Sequence, residues 1–478
     1  MIDTKAIRAK VLDLAIRGKL TEQLPEDGTA ADLYARIQAE KQALIAAGKI
    51  KREKALPEIA EEEKPFEIPA NWKWCRLQDI STTNIGLTYH PEDISDDGTI
   101  VIRSSNIVNS RMDYSDLVRV KCQIRPNQYI NNNDIVICAR NGSKALVGKC
   151  AIYQGESGTI SFGAFMAVLR TPFYSYVFKY LLTNSFRRYF SSDDSKQINQ
   201  VTQDILKEAI VSLPPLPEQH RIVAIVDQIF SLLDTIDTLQ ARYTQDTAAL
   251  KAKLIEAGIR GQLTERLPGD WTAEELYAQI QEEKAALVAA GKIKKDKPLP
   301  EITDEEKPFE VPEGWMWVRL GDIFAHNTGK ALNASDTEGT LLEYITTSNV
   351  YWDRLELSGL KKMYFSDDEI EKCTIRQGDL LVCEGGDIGR SAIWTLNREM
   401  RIQNHIHKLR GYTSGVLHEY YYFIMRHYKS SGMIDGRGIG LQGFSAKRLH
   451  ALVVPLPPLP EQRRIVARLE ELLEVCGG

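Results

Sequence analysis

Nowhere does this 478-residue chain carry an apolar run near the roughly 20 residues that a membrane span needs, and its first residues lack the apolar core of an export signal. Both absences point to a cytoplasmic protein without membrane contact. Cysteine is scarce: seven residues (75, 122, 138, 150, 373, 383 and 476), an odd number with no C-x-x-C pair. That spacing predicts reduced, mostly buried thiols rather than disulfides or zinc ligands.

Catalytic signatures are missing as well. There is no G-x-x-x-x-G-K-[ST] phosphate loop. Pro-Pro occurs only inside two copies of Leu-Pro-Pro-Leu, so the D/N-P-P-Y/F tetrapeptide of amino-group DNA methyltransferases is absent. Gly436 to Gly443 (GRGIGLQG) has the glycines of a dinucleotide fingerprint without the preceding strand of a βαβ unit, so a loop is expected. Asp379 and Glu384 lack the following lysine of a nuclease core. A net charge of −5 argues weakly against nucleic acid until it is divided. Residues 82–212 carry 14 Lys and Arg against 12 Asp and Glu, and residues 325–455 carry 16 against 15. The remainder of the chain is acidic, an asymmetry too small to decide anything alone.

What is present is a circularly permuted internal repeat of 243 residues. Arg17 to Ile80 returns as Arg260 to Ile323, and Leu213 to Val226 (LPPLPEQHRIVAIV) returns as Leu456 to Leu469 (LPPLPEQRRIVARL). Ala6 to Leu20 matches Ala249 to Leu263, and Arg464 to Gly478 matches Arg221 to Thr235. The two terminal arms together therefore rebuild the central segment, short by eight residues, and the termini are expected to lie near each other. Repeated frames around divergent inserts describe one scaffold presenting two different readers.

Pro217 to Gly258 reads as one long helix. Ile222, Ile225, Ile229, Leu232, Ile236, Leu239 and Tyr243 follow the alternating three- and four-residue steps of a coiled-coil seam. Pro217 suits a first turn, and Gly258 is the expected stop. Ile7, Val11 and Leu14 in one arm, and Ile465, Leu469 and Leu472 in the other, make the arms the expected antiparallel partners. A second helix is predicted over Ala30 to Ala47, with its copy over Ala273 to Ala290. The charged linkers that follow, Lys49 to Pro65 and Lys292 to Pro308, are expected to be solvated segments; their recurrence marks a docking surface used twice.

The inserts share a skeleton. Ile102 to Ile107 sits opposite Ile345 to Val350, Asp134 to Cys138 opposite Asp379 to Cys383, and Gly148 to Tyr153 opposite Gly389 to Trp394. Short β-branched runs bounded by Gly, Asn and Asp predict strands and turns, with helices over Tyr174 to Tyr189 and Leu417 to Tyr428. The fold class expected is α/β (α+β): two globular domains in pseudo-two-fold arrangement, each with a curved antiparallel sheet, separated by long antiparallel coiled-coil helices. The order is an arm helix over 1–20, a first repeat copy over 21–70 and a first globular domain over 71–216. The long helix over 217–262, a second repeat copy over 263–313, a second globular domain over 314–459 and an arm helix over 460–478 follow. One insert carries the loop Ala139-Arg140-Asn141-Gly142-Ser143-Lys144, the other the shorter Glu384-Gly385-Gly386-Asp387. Polar, Gly-containing loops of this kind suit base-edge and phosphate contacts.

Two variable inserts, each closed by L-P-P-L-P-E-Q-x-R-I-V and joined by a long helix, resemble the specificity subunit of type I restriction–modification enzymes. The resemblance covers essentially the whole chain, departing where the last arm is eight residues short, which is expected to weaken closure of the second coiled coil. It implies a non-catalytic subunit in which each insert is a target-recognition domain reading one half of a bipartite sequence in double-stranded DNA. The helices would set the unread spacer and hold two methyltransferase subunits, with motor–nuclease subunits joining the complex. S-adenosylmethionine, ATP and Mg²⁺ would act on those partners, and no cofactor or metal is expected on this chain. Candidate DNA contacts are Arg103, Ser104, Arg140, Asn141, Lys144, Lys149 and Gln197 in the first insert. In the second they are Lys330, Thr346, Thr347, Arg390, Asn404, His405, Arg437 and Gln442. His405 and His407 alternate as on one strand face and are expected to be a packed or DNA-facing pair. The rival readings are a tandem-domain protein-binding adaptor without DNA recognition, and a fused methyltransferase or nuclease that no motif supports.

Overall fold

The incoming and outgoing ends of each insert form one two-stranded ladder. Lys73–Arg76 pairs antiparallel with Ile210–Leu213, and Met316–Arg319 pairs with Val453–Leu456 in the same way. The computed structural model describes residues 1–48, 52, 54–190, 200–295, 297–333, 337–434 and 444–477. They divide into two compact units, Met1–Ala241 and Arg242–Gly478.

In the first unit a four-stranded sheet runs in the order Thr82–Ile85, Met166–Arg170, Ile135–Cys138, Cys150–Ile152, with every pairing antiparallel. Ile135–Cys138 is buried at all four positions, which is why it reads as an unbroken apolar run rather than an alternation. A second sheet places Ile94–Ile102 between Val118–Val120 and Ile160–Phe162, the last pairing parallel. In the second unit the order Phe324–Thr328, Ile406–Gly411, Leu380–Cys383, Ser391–Ile393 repeats the first sheet. The two copies of the second helix are Ala30–Ala46 and Ala273–Ala289. Within the inserts the helices fall at Tyr174–Leu181 and Asn184–Arg187, and at His418–Ser430.

All seven cysteines are free thiols, five of them buried. Burial pushes the Cys150 thiol up to about 12 and that of Cys383 to about 11, so both stay protonated and inert.

The long helix covers Leu216–Ile259, 44 residues, or about 65 Å. Its pairing with the arms is antiparallel but sits one position away from the expected seam. In the first unit Thr4–Ile16 buries Val11, Leu12, Ala15 and Ile16, and Thr4 Oγ1 donates to Asp237 (2.5 Å) while Arg8 pairs with Asp234 (2.8 Å). The long helix answers with buried Ile222, Val226 and Leu233. Leu232, Leu239 and Tyr243 of the expected seam are exposed instead. Apolar residues occupy two adjacent stripes of the helix, and the arm takes the 222–226–229–233 stripe rather than 222–225–229–232.

Gly258 is not the stop of the helix. A Cβ there would lie 2.7 Å from Leu469 Cδ1, so its smallness admits the C-terminal arm, Leu459–Val475. The chain turns at Gly261 (φ +70°), packed on Pro312 and Trp315, as it turns in the first unit at Gly18 (φ +67°), packed on Pro69 and Trp72. Glycine alone combines that backbone with that contact.

The repeated L-P-P-L-P-E-Q segment is a junction. Gln219 donates to the Pro214 carbonyl (2.9 Å) and Gln462 to that of Pro457 (2.8 Å). Buried Glu218 accepts from Trp72 Nε1 (2.8 Å), and Glu461 accepts from Trp315 Nε1 (2.8 Å). The linkers are not freely solvated either. Arg76 binds the Pro57 carbonyl and Glu63, and Arg319 binds the Pro300 carbonyl and both oxygens of Glu306.

Candidate nucleic-acid interface

In the first unit four of the candidate residues meet in one place. Arg103, Ser104, Arg140 and Asn141 line a cleft of about 730 Å³. Arg103 and Ser104 stand where Ile94–Ile102 gives way to a short 3₁₀ turn, and Arg140 and Asn141 follow the end of Ile135–Cys138. The cleft thus forms where two sheets release their loops on the same side. Asn141 Nδ2 donates to Ser104 Oγ (3.0 Å), tying the two loops together. Arg103 pairs with Asp116 (2.8 Å), and Arg140 donates twice to Gln200 Oε1 (3.2 and 2.8 Å). Each guanidinium keeps further donors and partial exposure, the state needed to meet phosphates or base acceptors.

The remaining candidates divide by what they touch. Lys144 is exposed on the turn Lys144–Leu146 and does not line the cleft. Lys149 gives its ammonium to the Ile107 carbonyl (2.8 Å), and Arg390, its counterpart, donates to the Thr347 carbonyl (2.5 Å) while lying 4.8 Å from the Tyr351 ring. Both brace the loop carrying 103–104 or 346–347. Lys330 forms an ion pair with Glu369 (2.7 Å), its own side chain only 8% exposed. Thr346 Oγ1 is engaged by Ser348 and Asn349. Asn404 donates its backbone N–H to the Lys330 carbonyl, and His405 is exposed beside Glu384 (3.5 Å). Gln197, Arg437 and Gln442 lie outside the described residues, as does the glycine-rich run 436–443.

Sequence reasoning missed Phe165. It is exposed, lines the same cleft, and occupies the turn that His405 occupies in the second unit. The spacing between these turns is 240 rather than 243, so the constant offset conceals the equivalence.

His405 and His407 do not share a face. His405 sits in the turn, whereas His407 is buried on the strand, with Nε2 2.7 Å from the Phe444 carbonyl and Nδ1 2.8 Å from His326 Nε2. The ring of His450 is 4.7 Å from that of His326. Among the described residues no group of three His, Cys, Asp or Glu can hold a metal ion. Asp379 is clamped by Arg410 (2.7 and 2.6 Å), a structural pair.

Burial, then neighbouring His407 and His450, hold His326 down at about 3, and burial lowers His407. Both groups ionise near 6.5 when unfolded. Below that pH the unfolded chain takes up protons that the native second unit refuses, so stability is full above about 6.5 and falls as pH drops toward 3. Each titrating histidine contributes a slope of up to about 1.4 kcal/mol per pH unit. Position 83, the counterpart of His326, is threonine. Acid unfolding of His326→Thr is expected to be shallower between pH 6 and 4 than that of the unaltered protein; an unchanged slope would refute the assignment.

Among the described residues no helix is long and apolar enough to cross a membrane. A family model described as the type I restriction modification DNA specificity domain matches residues 69–242 and 312–476. The specificity subunit of the type I restriction enzyme EcoAI from Escherichia coli is 30% identical, across 99% of this chain and 89% of the relative. That of EcoKI, from Escherichia coli strain K12, is 26% identical across 85% and 83%. Among solved structures, a chain from work on complex assembly and conformational transition of the type I R-M system superposes with a TM-score of 0.63 at 18% identity, covering 86% of this chain and 93% of that one. The HsdS subunit from Thermoanaerobacter tengcongensis gives 0.50 at 18%, covering 87% and 92%. At such identity these two establish the fold.

Proposed function

Since the chain belongs to the type I restriction–modification DNA specificity family, we propose that it is the non-catalytic subunit that directs such an enzyme to its DNA sequence. Residues 71–216 and 314–459 are its two target-recognition domains, each reading one half of an asymmetric bipartite site. One observation carries this reading: equal frames present unlike side chains at equal positions. Arg103-Ser104 stands where the second unit has Thr346-Thr347, and Phe165 where it has His405. Unlike surfaces on like scaffolds select unlike half-sites.

Arg103, Ser104, Arg140, Asn141 and Lys144 are proposed contacts in one domain, and Thr346, Thr347, Asn404 and His405 in the other. Lys149, Lys330 and Arg390 act by holding those loops in place. Gln197, Arg437 and Gln442 remain proposed contacts on sequence grounds. Phosphate contacts by the lysines and arginines supply salt-dependent affinity. The long helix and arms set the unread spacer and dock two methyltransferase subunits, through which motor–nuclease subunits join. S-adenosylmethionine, ATP and Mg²⁺ act on those partners, and the assembly works in the cytoplasm.

The test is a methylation map. Co-expressed with methyltransferase subunits in a methylation-free host, the chain is expected to yield one split motif with a fixed gap. Replacing residues 82–212 by the insert of another specificity subunit is expected to change one half of that motif and leave the other half and the gap. A change in both halves, or no sequence-specific methylation from a stable complex, would refute the two-reader assignment.

A further inference from the structure

The two units build one turn alike and furnish it differently. In each, the chain passes into the central strand of the four-stranded sheet through two residues, Ala164-Phe165 before Met166–Arg170 and Asn404-His405 before Ile406–Gly411. The Phe165 carbonyl accepts from the N–H groups of Ala139 (2.9 Å) and Arg140 (3.1 Å), and the His405 carbonyl accepts from Glu384 N–H (2.9 Å). The turn is thus pinned to the loop after the neighbouring strand while its side chain is left outside. Phe165 is 62% exposed and the His405 side chain 54%.

An exposed phenylalanine on a fixed backbone belongs to no core cluster of its unit. With Leu87 and Ile94 it supplies apolar surface to the cleft that Arg103, Arg140 and Asn141 also line. A base edge in the major groove has that same mixture. Thymine shows a methyl group beside an acceptor, and its partner adenine shows a further acceptor.

Resting on the DNA-recognition reading above, we propose that Phe165 packs on the C5-methyl group of a thymine in the half-site read by the first unit. The turn is one position at which the two readers differ, since His405 offers ring nitrogens there instead of an apolar face. Phe165 is accordingly a specificity-determining residue.

Deoxyuridine tests this, because it removes the methyl group and nothing else. Once methylation mapping has assigned the half-site, each of its thymines is replaced in turn, and binding is measured with the complete methyltransferase complex. At one position the replacement is expected to weaken binding by the unaltered protein about fourfold, the worth of one buried methyl group. The same replacement is expected to leave Phe165→Ala unaffected. Phe165→His, carrying the residue the second unit has at this turn, is expected to lose the methyl dependence likewise, and it covers the case in which alanine loosens the loop. A half-site without thymine, or no thymine whose methyl effect disappears in either variant, overturns the proposal while leaving DNA recognition intact. Absence of sequence-specific binding by the unaltered complex overturns the reading beneath it as well.

Discussion

Replacing Glu218 with alanine is expected to lower the stability of the protein by about 3 kcal/mol, more than any single change on the inserts' surfaces. The carboxylate is fully buried and accepts three hydrogen bonds, from Trp72 Nε1 (2.8 Å), Thr21 Oγ1 (2.9 Å) and Gln23 Nε2 (2.9 Å). Hydrogen bonds to a charged group contribute roughly 1.5–3 kcal/mol each, and a buried donor left unpaired costs about 1–3 kcal/mol. Thr21 and Gln23 can turn toward water, whereas the buried indole N–H cannot, which sets the estimate at the upper end of the cost of one unpaired buried donor. The copy supplies an internal comparison. Glu461 keeps the tryptophan bond (2.8 Å), but Thr264 stands at 3.5 Å, and position 266 is an arginine whose guanidinium turns to the Glu313 carbonyl. Glu461→Ala is therefore expected to cost less, by about 1 kcal/mol or more. Urea unfolding of the two variants decides the matter. Equal losses, or a loss under 1 kcal/mol for Glu218→Ala, would show that the junction is not held as described.

The segments that build that junction were legible in the sequence for a physical reason. Trp72, Glu218 and Gly18 all lie in segments that occur twice, and Trp72 contacts both of the others, so the copies repeat both partners of each contact. The central strands were legible as well, because Ile135–Cys138 and Leu380–Cys383 are buried at every position. The helix seam was half legible. Ile225 and Val226, then Leu232 and Leu233, put apolar side chains on two neighbouring stripes, and nothing local says which one meets the arm. The cleft was legible only on one wall. Arg103, Ser104, Arg140 and Asn141 announce themselves by polarity in loops, whereas Phe165 looks like core until its exposure is known. Lys149 and Arg390 stand in the same loops, and each binds a carbonyl of its own unit, which charge in the sequence does not reveal.

The stripe that the arms leave uncovered has the second large consequence. Leu239 is 58% exposed and Tyr243 65% exposed, on a helix whose arm-facing Ile222, Val226 and Leu233 are buried. They stand four residues apart, one helical turn, and so lie on the same side of the helix. Large apolar side chains held open on a rigid helix are the usual mark of a partner surface. The proposed occupant is a methyltransferase subunit, and Leu239→Glu with Tyr243→Glu is expected to release it. Burying each side chain contributes about 2 kcal/mol. Losing both costs about 4 kcal/mol, nearly a thousandfold in Kd, before the penalty of burying two carboxylates is added. Because neither residue packs within its own unit, thermal unfolding of the isolated variant should match the unaltered protein to within about 0.5 kcal/mol. Co-purification with the methyltransferase, and methylation with it, should disappear together. Loss of methylation with the complex intact would place these residues elsewhere in the mechanism. Full methylation by the double variant would leave the stripe without a role in assembly and move the docking surface to the recurring linkers, which Arg76 and Arg319 hold against their units.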